Sequence, residues 1–191
     1  MGYFLLFAGR ILAASAYGED DHPRWPNWDT AEIAQGLGRW FWACATGLVI
    51  GGFPAVSYWL NCGEVDMIDW FIFGDLVVLG ATYALMGIAS ALLHENLIAC
   101  NPYTIIQSIF RIGWDYVSPC MVAAFGVISS VTAWGYVLFY APNVVVGVFG
   151  MWACWIWTLY QMMLIFRALG LTYYRHAERL DWFRAPPRWG M

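Results

Sequence analysis

Four long apolar runs, separated by short polar stretches, dominate the pattern of the sequence. Each run is about twenty residues or longer, and about 20 apolar residues in a helix cross a bilayer. The pattern therefore predicts an all-α integral membrane helical bundle with four transmembrane helices. We place these spans at about 37–60, 68–93, 116–140 and 144–169.

Two shorter segments predict interfacial amphipathic helices. Residues 3–16 are apolar but interrupted by Arg10, and they are too short for a span. Residues 102–113 begin at Asn101 and Pro102, which suit an N-cap and a first helical position. The apolar face of this segment holds Ile105, Ile106, Ile109, Phe110 and Ile112, and the other face holds Gln107, Ser108 and Arg111. Its arginine is expected to face lipid phosphates.

Local signals indicate where the first span begins and how it packs. Asp29 and Glu32 have the spacing of a helix N-terminal capping box. Further along, Gly47 and Gly51 are four residues apart, and Pro54 follows them. Small residues at this spacing allow a neighbouring helix to approach closely, although glycine is also simply common in membrane helices.

Composition predicts one membrane domain, 1–191, with no soluble domain attached, and charge predicts the topology. The 191 residues are 61% hydrophobic and 12% charged, whereas about 25% is usual for soluble domains. All cations are arginines, and with four spans every one falls on the same membrane side: Arg10, Arg24, Arg39, Arg111, Arg167, Arg175, Arg179, Arg184 and Arg188. The positive-inside rule then predicts that both termini and the tail 170–191 lie in the cytoplasm.

Several of these stretches carry a resemblance to a known family. The segment LHENLIACNP (93–102), the Ile-rich helix after it and RIGWDY (111–116) resemble the DUF4013-like family of uncharacterised bacterial multi-pass membrane proteins. The segments 18–29 and 167–182 are similar to that family's first loop and closing segment. The resemblance implies a helical membrane bundle and brings no activity or catalytic residue. Members often have a further span before the first loop, where this chain has only 3–16.

Asp75 is the candidate polar residue inside a span. It lies about two turns into the second run, where an ionised carboxylate is costly and usually faces protein or water. One interpretation is a proton or ion site. The preferred one is a structural carboxyl that is hydrogen-bonded to a Ser, Thr, Tyr or Trp of a neighbouring helix.

No pattern predicts catalysis or a metal site. The three histidines, His22, His94 and His176, lie away from mid-membrane depth, which disfavours haem, and the five cysteines form no C-x-x-C. Glu64, Asp66 and Asp69 form an acidic turn that could hold a divalent cation, but enforcing topology is the preferred role. Hydrolase, metalloprotease and phosphate-loop motifs are absent. We therefore predict no enzyme, no catalytic residue, no metal and no cofactor.

Aromatic and basic residues at the end of the chain are candidates for contact with lipids or partners. Trp152, Trp155, Trp157 and Tyr160 ring the middle of the fourth span, where they could meet a partner, lipid, or a flat quinone or pigment, or simply pack inside the bundle. Four arginines could contact anionic lipid or another protein: Arg111, Arg167, Arg175 and Arg179.

These observations favour a non-catalytic scaffold or accessory subunit of a larger bacterial inner-membrane complex. Membrane lipids and other membrane subunits are the expected partners, and nucleic acid is not. A transporter or ion-conducting component that uses Asp75 is the alternative. A third interpretation is a subunit that contacts a pigment or quinone in an electron-transfer complex.

Overall fold

The computed structural model describes residues 2–18, 25–26, 29–63, 66–94, 96–180 and 182, and every regular element in this part of the chain is a helix. The α-helices are α1 (Gly2–Ala16), α2 (Thr30–Gly47), α3 (Phe53–Asn61), α4 (Met67–Leu93), α5 (Pro102–Ile112), α6 (Val117–Tyr140) and α7 (Val144–Leu180). Four helical segments are long and apolar enough to cross a membrane: Thr30–Asn61, Met67–Leu93, Pro102–Tyr140 and Val144–Leu180. The predicted all-α fold with four membrane-spanning segments is confirmed.

The first spanning segment begins earlier than its hydropathy predicted. Asp29 caps α2, and its side chain accepts a hydrogen bond of 2.9 Å from the backbone N–H of Ala31. The helix therefore starts at Thr30, and its first two turns are polar, which is why the apolar run alone suggested a start near residue 37.

A π-helical turn, Leu48–Gly52, joins α2 to α3. Pro54 follows it, and a proline has no N–H and collides with the carbonyl four residues earlier. The wider turn accommodates this, because the N–H of Phe53 bonds the carbonyl oxygen of Leu48, five residues back. The span consequently continues through the proline instead of ending there.

The fourth spanning helix continues well past its predicted end. The sequence placed the boundary at residue 169 and a tail at 170–191, but α7 runs without interruption from Val144 to Leu180. Residues 170–180 mix apolar and polar side chains, so hydropathy did not reveal this continuation. The helix continues because one of its faces remains buried there, through Tyr173, His176 and Leu180. The remaining tail residues 183–191, with Arg184 and Arg188, lie outside the described residues, as do His22, Arg24 and Glu64.

The described chain divides into two compact units where the sequence predicted a single domain. Unit 1 comprises Met1–Leu6 and Asn27–Arg111, and unit 2 comprises Phe7–Pro26 and Ile112–Met191. One boundary falls beside Gly113, which has a φ of 65°. This left-handed conformation suits glycine, and it ends α5 before the short 3₁₀ turn Gly113–Tyr116 leads into α6.

Within unit 1, α2 and α4 pack with their backbones in close contact. A Cβ atom on Gly47 would lie 2.6 Å from the Cβ of Ala84, and one on Gly51 would overlap the backbone of Gly80 and the carbonyl oxygen of Leu76. The close helix approach that the Gly47–Gly51 spacing predicted is therefore confirmed.

Within unit 2, the second half of α1 packs on the continuation of α7. A Cβ atom on Gly170 would lie 2.5 Å from the carbonyl oxygen of Leu12 and 2.6 Å from the Cβ of Ser15. Leu12, like Ala8, is fully buried. The segment that the sequence assigned only to the membrane interface thus has one face in direct contact with protein.

Helix α5 has a different division of faces from the predicted one. Ile105, Ser108 and Ile112 are buried, and the hydroxyl of Ser108 donates to the carbonyl oxygen of Thr104 at 2.7 Å. Ile106 and Phe110, which were predicted to share a face with Ile105, are exposed instead. Ser108 was therefore wrongly assigned to the polar face. The apolar residues of α5 lie on two faces, one buried and one exposed.

Candidate functional site

Two carboxyl groups at the start of α4, those of Asp66 and Asp69, form hydrogen bonds that cap the helix. An oxygen of Asp66 accepts the backbone N–H groups of Ile68 (2.8 Å) and Asp69 (3.0 Å), while Asp69 Oδ2 accepts the N–H of Asp66 at 2.8 Å. The other oxygen of Asp69 accepts the hydroxyl of Tyr58 at 2.5 Å and the thiol of Cys62 at 3.5 Å. This reciprocal capping box explains why α4 begins at Met67.

The described carboxylates of this turn, Asp66 and Asp69, are not joined by further described side chains in a group that could hold a metal ion. No group of three or more His, Cys, Asp or Glu side chains is placed to hold a metal ion in the part of the chain that the structure describes. Because Asp66 and Asp69 already accept donors from their own helix and from Tyr58, their oxygens serve capping.

Asp75, two turns further along α4, has the opposite environment. Its side chain is exposed, and it makes no hydrogen bond or ion pair with any residue that the structure describes. The bond to a Ser, Thr, Tyr or Trp of a neighbouring helix, which the sequence led us to prefer, is not formed among these residues. Asp75 therefore presents its carboxyl group away from the helices of unit 1.

The depth of Asp75 follows from helix geometry. α4 has 27 residues and is about 40 Å long, about 10 Å more than the hydrocarbon core of a bilayer. Asp75 lies eight residues, or about 12 Å, from Met67. If α4 crosses the membrane centrally, this carboxyl group lies about 7 Å inside the hydrocarbon.

Asp75 belongs to one continuous face of α4, which we call the outer stripe. Its members recur at helical spacing and are exposed or half-buried: Phe71, Gly74, Asp75, Val78, Ala81 and Thr82. Phe71 is 68% exposed and Val78 is 60% exposed. A Cβ atom on Gly74 would meet no other atom within 4 Å. The stripe lies on the side of α4 opposite to Gly80, which contacts α2, so no helix of unit 1 covers it.

The tryptophans of α7 differ in what they contact. Trp155 packs edge-on against Trp134 of α6 with ring centroids 5.9 Å apart, and Trp157 Nε1 donates to Ser129 Oγ at 3.3 Å. Trp152, by contrast, is 67% exposed. The structure thus separates a set that the sequence treated as one group: two of its members help to join α6 and α7, and one faces outward.

The four candidate arginines are exposed in the structure. Arg111 ends α5, while Arg167, Arg175 and Arg179 lie on the last four turns of α7. Because α7 continues to Leu180, Arg175 and Arg179 of the predicted tail lie on the same helix as Arg167. Their contact with anionic lipid or a partner stays a prediction.

The sequence analysis missed a polar contact in unit 2. His176 is buried, with Nε2 3.0 Å from an oxygen of Asp115 and Nδ1 3.0 Å from the carbonyl oxygen of Thr172. Both ring nitrogens therefore lie within hydrogen-bond distance of an oxygen atom. His176 lies three residues after Tyr173 and four before Leu180, so all three fall on one face of the helix. This spacing was the signal in the sequence that could have revealed the contact.

Two polar side chains inside the α6–α7 pair were also missed. Ser130 Oγ is buried and has no hydrogen-bond partner among the described residues. Gln161, which is 4% exposed, lies opposite Gly126, where an added Cβ atom would be 3.4 Å from the Cβ of Gln161. The only signal in the sequence was the isolated polarity of these residues in apolar runs.

Comparison with known proteins does not identify this chain. It matches no protein-family model, no curated protein and no solved structure. Its resemblance to the DUF4013-like family therefore stays a prediction.

Proposed function

We propose that this chain is a non-catalytic accessory subunit that packs within a larger complex of the bacterial inner membrane, with both termini in the cytoplasm. The observation that carries the proposal is Asp75, a carboxyl group exposed at membrane depth without a partner in the described chain.

Exposed apolar surface alone would not support a partner. Only 11% of the most apolar window is buried in each of the segments Pro102–Tyr140 and Val144–Leu180, but lipid tails cover such surface as well as protein does. A carboxyl group in hydrocarbon is different, because an Asp at the centre of a spanning helix costs about 2.5–3.5 kcal/mol on insertion scales, and an Asp nearer the membrane edge, such as Asp75, costs part of that. A polar group from another protein removes much of this cost, whereas lipid tails do not.

The position of Asp75 favours a subunit over a transporter. Carriers place their ion-binding carboxylates towards an interior, water-lined path, often at broken helices. Asp75 instead shares an exposed stripe with Phe71 and Val78 on an unbroken helix. Trp152 is exposed, and a lipid, a partner helix or a flat cofactor could each cover it. It therefore does not specifically favour a subunit that contacts a pigment or quinone.

Purification from the native membrane tests the proposal. The tagged full chain, extracted in a mild detergent, is expected to retain at least one other polypeptide at a fixed molar ratio through two successive separations. If the chain elutes alone and moves protons in vesicles unless Asp75 is replaced by Asn, the transporter is correct instead. A visible absorption band in the purified material would favour the pigment-binding interpretation.

The topology is tested separately by reporter fusions. A reporter that is active only in the cytoplasm is expected to work when it is fused after residue 191, and a tag at residues 61–66 is expected to be accessible from the outside. A periplasmic C-terminus would contradict the four-span arrangement of the proposal.

A further inference from the structure

We infer that the outer stripe of α4 binds a transmembrane helix of a different protein, and that this helix carries a Lys or Arg side chain at the depth of Asp75. The inference rests on the proposed function and deepens it by giving the chemistry of the partner. It is carried by charge complementarity at a carboxyl group that the described chain leaves exposed and unpaired.

A cation is the occupant that best balances this carboxyl group. A nearby positive charge favours the ionised form of an acid, and the attraction between the two is far stronger in hydrocarbon than in water. A Lys or Arg inside a span is itself costly and needs an acidic partner. One pairing therefore satisfies two groups, each of which would be unfavourable alone in lipid.

In a second copy of this chain with the same orientation, the two described arginines that lie deepest in the spanning helices do not reach Asp75. Asn61 and Met67 are joined by a short turn and mark one membrane side, and Asp75 lies about 12 Å along α4 from that side. Arg39 lies 22 residues, or about 33 Å, from Asn61. Arg167 lies 23 residues, or about 35 Å, from Val144. The depths of Arg39 and Arg167 therefore favour a different protein as the partner.

The shape of the outer stripe allows a helix to come close. Gly74 has no other atom within 4 Å of the position of an added Cβ, and Ala81 lies seven residues further along the same face. Small residues at that interval permit close contact between spans, with a shallow crossing angle of about 20°. Such an approach would bring a long basic side chain within hydrogen-bond reach of Asp75.

The test uses a synthetic single-span helix as the partner. Two probes of about 24 residues are made, a Leu-rich helix with one Lys about nine residues from its end and the same helix with Leu at that position. The purified full chain, labelled at its C-terminus, is placed in vesicles with each labelled probe, and association is measured by energy transfer. The wild-type chain is expected to bind the Lys probe about tenfold more tightly than the Leu probe.

Matched variants identify the carboxyl group. Asp75→Leu is expected to reduce the preference for Lys to less than about twofold, and Asp75→Asn to an intermediate value, because its amide oxygen still accepts a hydrogen bond. Glu178→Gln removes an equal charge from an exposed site on α7 and is expected to keep the full preference. Asp75→Lys is expected to reverse the choice and to prefer a probe with Asp in place of Lys, which excludes simple misfolding as the explanation.

Three results would overturn the inference. Equal binding of the Lys and Leu probes would mean that no charge is recognised. Energy transfer between copies of the chain that Asp75→Leu abolishes, without a preference for Lys, would assign the stripe to self-association. If the native complex retains its subunits at the same ratio after Asp75→Leu, the accessory function stands and the outer stripe is not its docking surface.

Discussion

The helix pair α2–α4 and the helix pair α6–α7 are held together in different ways. In the first pair, Gly47, Gly51 and Gly80 remove side chains so that the two backbones touch. In the second pair, side chains fill the space and bond across it, as where Trp134 Nε1 donates to Thr158 Oγ1 at 3.2 Å. Neither pair can rely on the hydrophobic effect inside lipid, so one depends on close fit and the other on interhelical hydrogen bonds as well as packing.

The largest effect is expected from adding a side chain to the glycine contact. Gly51→Val would place methyl groups against the backbone of Gly80, where a Cβ alone already overlaps, and is expected to destabilise the folded chain by about 3 kcal/mol. Unfolding in mixed micelles of increasing SDS fraction, followed by circular dichroism, measures this. Gly38→Val in α2 is the control: an added Cβ there has no other atom within 4 Å, so the change is expected to alter stability by less than about 1 kcal/mol. Equal losses would show that helix propensity, and not close contact, accounts for the effect.

A smaller effect is expected from the hydrogen bond across α6 and α7. Trp134→Phe keeps a ring beside Trp155 while removing the donor, and Thr158→Val removes the acceptor with little change of shape. A double-mutant cycle under the same micelle conditions is expected to give a coupling energy of about 0.6–1 kcal/mol. If the two losses simply add, the second pair is held by packing alone, and the contrast with the glycine pair weakens.

The smallest effect is expected at neighbouring serines of α6. Ser129 accepts the indole N–H of Trp157, so Ser129→Ala is expected to cost about 0.5 kcal/mol. Ser130 has a buried hydroxyl without a partner in the described chain, so Ser130→Ala is expected to leave stability unchanged or to raise it slightly. The same unfolding measurement compares them. A larger loss for Ser130→Ala than for Ser129→Ala would mean that this hydroxyl bonds a group outside the chain.

Local chemistry made much of the fold predictable. Asp29 caps α2 by accepting the N–H of Ala31, and the Gly47–Gly51 interval did mark a close helix contact. These features depend on residues within one or two turns, which a sequence displays directly. The end of α7 was missed because Tyr173, His176 and Leu180 are buried by contacts that hydropathy along the chain does not record.

The candidate site was only half predictable. The sequence showed that Asp75 lies inside a span, since depth follows from counting residues along a helix. It did not show which way the residue faces, because α4 is apolar nearly all round and so has no clear polar side. The direction became evident only from Gly80, which fixes the side of α4 that meets α2.

Helix α7 is long enough that a small tilt of its membrane-embedded part displaces its far end. Its 37 residues extend about 55 Å, so about 25 Å stand beyond a hydrocarbon core of about 30 Å. A change of about 10° in the tilt of its membrane-embedded part would move the far end by about 4 Å, if the helix stays straight. Helix α1 touches this projecting part at Gly170, close to where it leaves the lipid. If a change in bilayer thickness altered that tilt, the displacement would be largest at Arg175 and Arg179, near the tip.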